Sequence, residues 1–351
     1  MPRVSPDFKS LRDLNWNAGC LNWTSRLRIC YRLTHAFASL HLRRGYAYCD
    51  LSSSNIFCQP ATGDIRIIDT DNLAIDGYPN ILGIIGTPRY MAPELHRGST
   101  QQPSILTDLH SLAVLIFETL LLHHPLLGDR VLEGPPELED KVLGSHPVYI
   151  YHPQDKSNRY TKYQEFGGLL PTVLPQRLLQ LFNETFVHGI KNPQLRVRET
   201  RWQRALVDSL DEVIPCSNKQ CNFGGTFLRG KPWNTKCDWC GSPFKPFLVL
   251  KFLGRRGELL RAKVITGTER LAAHHCKLNE PLNFSPGDAC AQVEEDPQHG
   301  LTLRNISKET LLYRPPAGES FAPFPPEKRI ILREGTRIQF GAAGAEAEVV
   351  A

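Results

Sequence analysis

The chain has 351 residues, more than one hydrophobic core usually serves, so two or three domains are expected. Apolar residues make up 41% and charged residues 22%, the balance of an ordinary globular protein. Against 41 Lys and Arg stand 36 Asp and Glu, and the net +5 is spread along the chain rather than gathered in a block, which does not argue for a nucleic-acid or membrane partner.

The opening MPRVSPDFKSLRDLNW is charged throughout and has no apolar core segment, so no signal peptide is visible. The longest apolar run, Leu109 to Leu122, is interrupted by His110, Ser111, Glu118 and Thr119 and is shorter than the roughly 20 residues that cross a bilayer. The expected location is the cytoplasm.

From Thr24 the residues Ile29, Leu33, Ala36, Phe37 and Leu40 recur at helical spacing, with Thr24 or Ser25 as the expected cap and Gly45 as the stop. IRII at Ile65 to Ile68 is a short strand just before Asp69. A helix over Ile105 to Leu122 is apolar almost all round and belongs in the middle of a domain. Gly128 to Pro171, rich in Gly, Pro, His and Tyr, reads as loop with short helices, followed by helices from Pro175 and from Glu199. Past Ile214 the character changes: FLVLKFL, AKVIT, LTLRNI, RIIL and TRIQF are strand signals with no long helix among them. The closing AAGAEAEVVA is short and Ala-rich, and no internal repeat is visible.

Four motifs follow one another in the first part. CDLSSSNIF carries Asp50 and, five residues on, Asn55; GDIRIIDTDN places Asp69 behind a short apolar strand; GTPRYMAPE runs from Gly86 to Glu94; DLHSLAVLIFE opens with Asp108. This order resembles the C-terminal lobe of eukaryotic-type (Hanks-type) Ser/Thr protein kinases, over residues 1–212. The resemblance implies a protein substrate, ATP and Mg²⁺. Asp50 would accept the proton of a Ser or Thr hydroxyl, and Asn55 and Asp69 would supply oxygen ligands to Mg²⁺. Thr87 would be the hydroxyl partner of Asp50, Glu94 would pair with Arg196, and Asp108 would cap the backbone of the Asp50 loop. The alternative is that Asp50, Asn55 and Asp69 are ordinary turn residues, which their types permit.

This chain departs from the family pattern at several positions. Tyr48 and Cys49 stand where the family has His-Arg, Ser52 replaces the lysine near the γ-phosphate, and Asp69 is followed by Thr70 and Asp71 rather than Phe-Gly. With the following cysteine ribbon, the chain is similar to bacterial kinases of the tellurite-resistance-associated phosphorylation triad. That likeness implies a von Willebrand-type protein and a phosphatase as partners. A kinase N-terminal lobe needs roughly 36 residues before any loops. Only 23 residues precede Thr24, with no Gly-rich loop or strand lysine, and Met1-Pro2-Arg3-Val4 resembles the segment joining the two lobes. The expectation is an N-terminally shortened, inactive form.

Cys216 and Cys221, then Cys237 and Cys240, form two pairs with fifteen residues between them, close to the spacing of a closed four-cysteine structural Zn²⁺ site. The alternative is core cysteines, the reading given to Cys20, Cys30, Cys49, Cys58, Cys276 and Cys290. Lys219, Arg229, Lys231 and Lys236 are dispersed, so a zinc-ribbon nucleic-acid binder ranks last. The last hundred residues resemble the closing strands of forkhead-associated β-sandwich domains, with Arg270 and His274 the nearest candidates for phosphate contacts or else ordinary surface residues.

The expected fold is therefore multidomain α+β: a mainly helical kinase C-terminal lobe (1–212), a zinc ribbon (213–246) and an all-β, forkhead-associated-like domain (247–351). The expected function is that of a protein Ser/Thr kinase family member, with a pseudokinase scaffold as the alternative.

Overall fold

The computed structural model describes residues 4–16, 21–78, 83, 85–100, 102–162, 168–278, 282, 286–341 and 344–351. Met1, Pro2 and Arg3, read above as part of a lobe-joining segment, lie outside the described residues, as does Cys20. The chain divides into two compact units, Met1–Leu210 with Gln220–Phe227 and Asp211–Lys219 with Leu228–Ala351.

In the first unit, β1 (Lys9–Ser10) leads into α1 (Leu11–Trp16), and the long helix α2 spans Trp23–Arg44. Its cap is Asn22, not Thr24 or Ser25: Asn22 is extended, and its side chain accepts a 2.8 Å bond from the Ser25 amide. Gly45 ends the helix in the left-handed region at φ 63°, where a side chain would be strained. Then come β2 (Tyr46–Ala47), β3 (Ile56–Cys58), β4 (Ile65–Ile67) and β5 (Ala74–Ile75). Strands β1, β3 and β4 form one antiparallel sheet, and β2 pairs with β5.

After the short helix α3 (Pro93–His96), α4 covers Ile105–Leu121 and starts with a reciprocal cap between Ser104 and Thr107. Leu112 to Phe117 are all fully buried, which is what a helix apolar on every side requires. Arg26 of α2, buried itself, donates to the Thr119 carbonyl near the end of α4 at 2.5 Å. A cation thus meets the negative end of a helix. The loop-rich stretch contains α5 (Asp129–Leu132) and α6 (Pro136–Asp140); α7 (Gln176–Asn183) and α8 (Glu199–Asp211) follow.

After β6 (Val213–Pro215) and β7 (Gly225–Phe227), the second unit is built of β8 (Leu248–Leu253), β9 (Leu259–Ile265), β10 (Glu269–Leu271), the one-turn helix α9 (Ala273–Cys276), β11 (Ala291–Asp296), β12 (Gly300–Asn305), β13 (Leu311–Arg314), β14 (Ala322–Phe324), β15 (Arg329–Ile331), β16 (Arg337–Gln339) and β17 (Glu346–Val350). One sheet has the order β10-β11-β12-β15 and the other β14-β13-β16-β17-β8-β9, antiparallel throughout. Leu271, Val293, Leu303 and Ile330 of the first and Leu250, Phe252, Ile338 and Val349 of the second meet in one buried cluster, so the unit is a sandwich.

The Ala-rich tail is not featureless. β17 alternates buried Ala347 and Val349 with half-buried glutamates, and it pairs with β8 and β16. Its small side chains hide the period-two pattern that larger ones would make obvious.

Candidate functional site

The Asp50 loop is held by its backbone. Cys49 has φ 72°, a left-handed conformation that costs a non-glycine residue about 1 to 2 kcal/mol. Asp108 offsets that cost: its carboxylate accepts the Tyr48 amide at 2.5 Å and the Cys49 amide at 3.2 Å. His41 lies behind it, between Asp108 Oδ2 at 3.1 Å and the Glu199 carboxylate. Burial opposes a charge on His41, but the Asp108 and Glu199 carboxylates outweigh it and raise its pKa to about 9. A protonated imidazole is therefore clamped between two buried acids.

On this support stand the residues singled out from the sequence. Thr87 Oγ1 donates to Asp50 Oδ1 at 2.6 Å. Asn55 Nδ2 donates to the Asp50 carbonyl at 2.9 Å and lies 3.5 Å from Asp50 Oδ2. The β3–β4 hairpin carries Asn55 at one foot and Asp69 at the other, and the Ile68 amide closes it on the Asn55 carbonyl at 3.0 Å. Asp69 itself is exposed, in the left-handed conformation that Asp tolerates, at φ 61°. Gly86 allows the Thr87 segment to approach: a Cβ there would sit 2.8 Å from the Cys49 carbonyl oxygen. Ser52, in the lysine position of the family pattern, is buried.

The end of this segment is fixed from below. Arg196 sends both terminal nitrogens to Glu94, at 2.7 and 2.8 Å, and donates further to the carbonyls of Leu106 and Gly189. A further anchor is not signalled by the motifs. Tyr90 donates to Glu118 Oε2 at 2.7 Å, and its oxygen lies 2.7 Å from Ser53 Oγ, so loop, segment and α4 share one polar chain. Burial pushes the Glu118 carboxyl up to about 7, despite the Tyr90 hydrogen bond and Arg89, which lower it. The available signal was a lone carboxylate in an apolar helix, which has to find a partner when buried. His124 Nδ1 accepts from the Leu126 amide, so its Nε2 carries the proton it donates to the Arg89 carbonyl at 2.7 Å.

One thiol each from Cys216, Cys221, Cys237 and Cys240 falls within 4.8 Å of the others. Gly241, at φ 69°, turns the chain after Cys240, and its amide donates to the Cys237 carbonyl. Desolvation pushes the Cys216 thiol up to about 12, helped by Cys240 and Cys237. A donor set of four sulfurs fits a tetrahedral divalent ion.

Asp211, His274 and His275 also lie within 4.8 Å of one another, all buried, and hydrogen bonds already engage Asp211 and His275. His275 Nδ1 accepts the Ala272 amide, which leaves the proton on Nε2 to donate to Asp211 at 2.8 Å, and Lys263 fills the other Asp211 oxygen at 2.9 Å. His274, read from the sequence as a candidate phosphate contact or else an ordinary surface residue, is neither exposed nor at the surface but buried in α9, whereas Arg270 is exposed on β10. His275 stacks on Phe252 of the core, and His274 packs against His275.

Residues 7–158 match the protein kinase domain family. The chain is 33% identical over 76 residues to the probable serine/threonine-protein kinase WNK10 of Arabidopsis thaliana, which is 22% of this chain and 14% of that protein. It is 27% identical over 132 residues to leucine-rich repeat serine/threonine-protein kinase 1 of Mus musculus, covering 36% of this chain and 6% of that one. A probable serine/threonine-protein kinase of Dictyostelium discoideum is 22% identical over 210 residues, 58% of this chain and 36% of its own length. The chain thus spans about a third or less of the curated relatives it matches. Among the described residues no helix is long and apolar enough to cross a membrane. The chain carries, over residues 7–158, a protein kinase domain.

Proposed function

We propose that the intact protein transfers the γ-phosphate of ATP to a Ser or Thr hydroxyl of a protein substrate. The observation that carries this reading is the Thr87 hydroxyl bonded to Asp50 at 2.6 Å, a proton donor seated on the group that would accept the substrate's proton. Asp50 would orient the attacking oxygen. Asn55, whose Nδ2 is engaged with Asp50, has Oδ1 to offer a metal, and the exposed Asp69 offers its carboxylate. Such a set of oxygens fits Mg²⁺, which supplies charge neutralisation for the phosphates when bound.

These 351 residues contain no Gly-rich loop followed by a strand lysine, the parts that cover the phosphates in protein kinases. Positioning supplies most of the catalysis in phosphoryl transfer, and the 351-residue chain alone is accordingly inactive. The ribbon (213–246) is a structural zinc clamp that follows the kinase-like part (1–212) in the sequence, and residues 247–351 are a forkhead-associated-like β domain. A von Willebrand-type protein and a phosphatase are its partners, in the cytoplasm of a bacterium.

The test is phosphoryl transfer from ATP with Mg²⁺ to a Ser/Thr substrate, before and after fusion of an N-terminal lobe from a related kinase. Transfer appears only in the fusion, and Asp50→Asn abolishes it. A fusion that binds nucleotide yet transfers nothing would establish the second reading, a pseudokinase scaffold. The buried Ser52 in place of a lysine and Cys49 in place of an arginine favour that reading.

A further inference from the structure

Cys216 immediately follows β6, and Cys240 closes the second cysteine pair, 24 residues further on. Both belong to the second compact unit. Their Sγ atoms lie 3.4 Å apart as hydrogen-bonded thiols, and Cys240 Sγ lies equally near Ser242 Oγ. Bonds that need no metal hold the two arms together here. Ser217, next to Cys216, donates its hydroxyl to the Pro243 carbonyl at 2.7 Å, and the Cys237 amide donates to the Ser242 carbonyl at 2.9 Å. Access differs among the sulfurs: Cys240 is exposed and Cys216 half-buried, whereas Cys237 is buried.

We propose that Cys216 and Cys240 are the pair in the ribbon that a low-molecular-weight disulfide oxidises to a protein disulfide. The exposed Cys240, as its thiolate, attacks one sulfur of the oxidant and expels a small thiolate. Cys216, in contact with it, gives up its proton and attacks Cys240 Sγ of the mixed disulfide, expelling the second small thiolate. One S–S bond is broken and one is formed. Two cysteine thiols are oxidised, and the oxidant leaves as two thiols.

The two sulfurs have to close from 3.4 Å to about 2 Å, a movement of side chains between arms that are already tied. Closure leaves Cys221 and Cys237 as free sulfurs of the four, too few for a closed tetrahedral site. Oxidation therefore releases the ion while a covalent bond keeps the arms joined. That release rests on the zinc reading of the ribbon, whereas the pairing of the cysteines does not.

In the experiment the full chain, reduced and prepared without chelator, is incubated with oxidised glutathione. Zinc set free is read with a chromogenic chelator, and acid-quenched samples are alkylated in denaturant and mapped by peptide mass. The expected map holds a Cys216–Cys240 peptide lighter by two hydrogens than the sum of its thiol forms, reversed by reductant, with Cys221 and Cys237 alkylated. About one zinc per chain should appear in step with that peptide. A bond between any other two of the four cysteines, glutathione adducts alone, or four alkylated thiols at equilibrium would overturn the proposal. A chain that holds no zinc at the start, yet yields the Cys216–Cys240 peptide, would overturn the zinc reading and uphold the pairing.

Discussion

Arg196 grips Glu94 with both terminal nitrogens across 102 residues of sequence, at 2.7 and 2.8 Å, and its own side chain is fully shielded from water. Two further bonds to carbonyls leave little of its guanidinium unsatisfied. Arg196→Ala therefore strands Glu94 in a mostly buried site and should cost about 3 to 5 kcal/mol. Chemical denaturation measures this, and a loss below about 1 kcal/mol would show that the pair does not hold the segment.

His41 makes stability depend on pH in the alkaline direction. Its pKa is raised to about 9 by Asp108 and Glu199 against the effect of burial. The folded state therefore holds a proton that the unfolded state, with a pKa near ~6.5, releases earlier. The stabilisation is complete below about pH 6.5 and is lost as pH rises through about 9, a change of about 3 kcal/mol. Glu199→Gln removes one of the two acids, so the loss should be complete at a lower pH. Unfolding midpoints measured from pH 6 to 10 on both proteins check this.

Glu118 gives a second slope in a lower window. Its carboxyl is pushed up to about 7 by burial, so the fold keeps the proton that the unfolded chain gives up near ~4.5. Stability from this group falls as pH rises between about 4.5 and 7, then levels off. Glu118→Gln should flatten that window and make the protein more stable than the parent at pH 8, by about 1 to 3 kcal/mol. Tyr90→Phe removes a hydrogen bond that lowers the Glu118 pKa and should move the window upward.

The ribbon should hold about one zinc per chain, bound by Cys216, Cys221, Cys237 and Cys240. Metal analysis after preparation without chelator is the check, and a metal-free, folded protein would rule the site out. Cys237→Ser should lose most of the metal and loosen residues around Gly241, with the Asp50 loop unchanged in hydrogen exchange.

Much of this protein could be read from its sequence. The positions of α2, α4, α7 and α8 were legible because apolar residues recur at helical spacing and Gly45 marks a stop. Asp50, Asn55, Asp69 and Thr87 were singled out by the order of four motifs and the four cysteines by their paired spacing, while the fold sets Thr87 against Asp50 from 37 residues away. Strands β11, β13, β14 and β17 were not. They are short or built of small and charged residues, and β17 takes one of its partners, β8, from far back in the chain.

Tertiary structure alone decided the charge states. That Glu118 carries a proton near neutrality and that His41 keeps one well above it both depend on burial and on partners far away in sequence. Spacing along the chain records which groups are available, but a pKa or a thiol contact is fixed by what surrounds the group once water has been excluded.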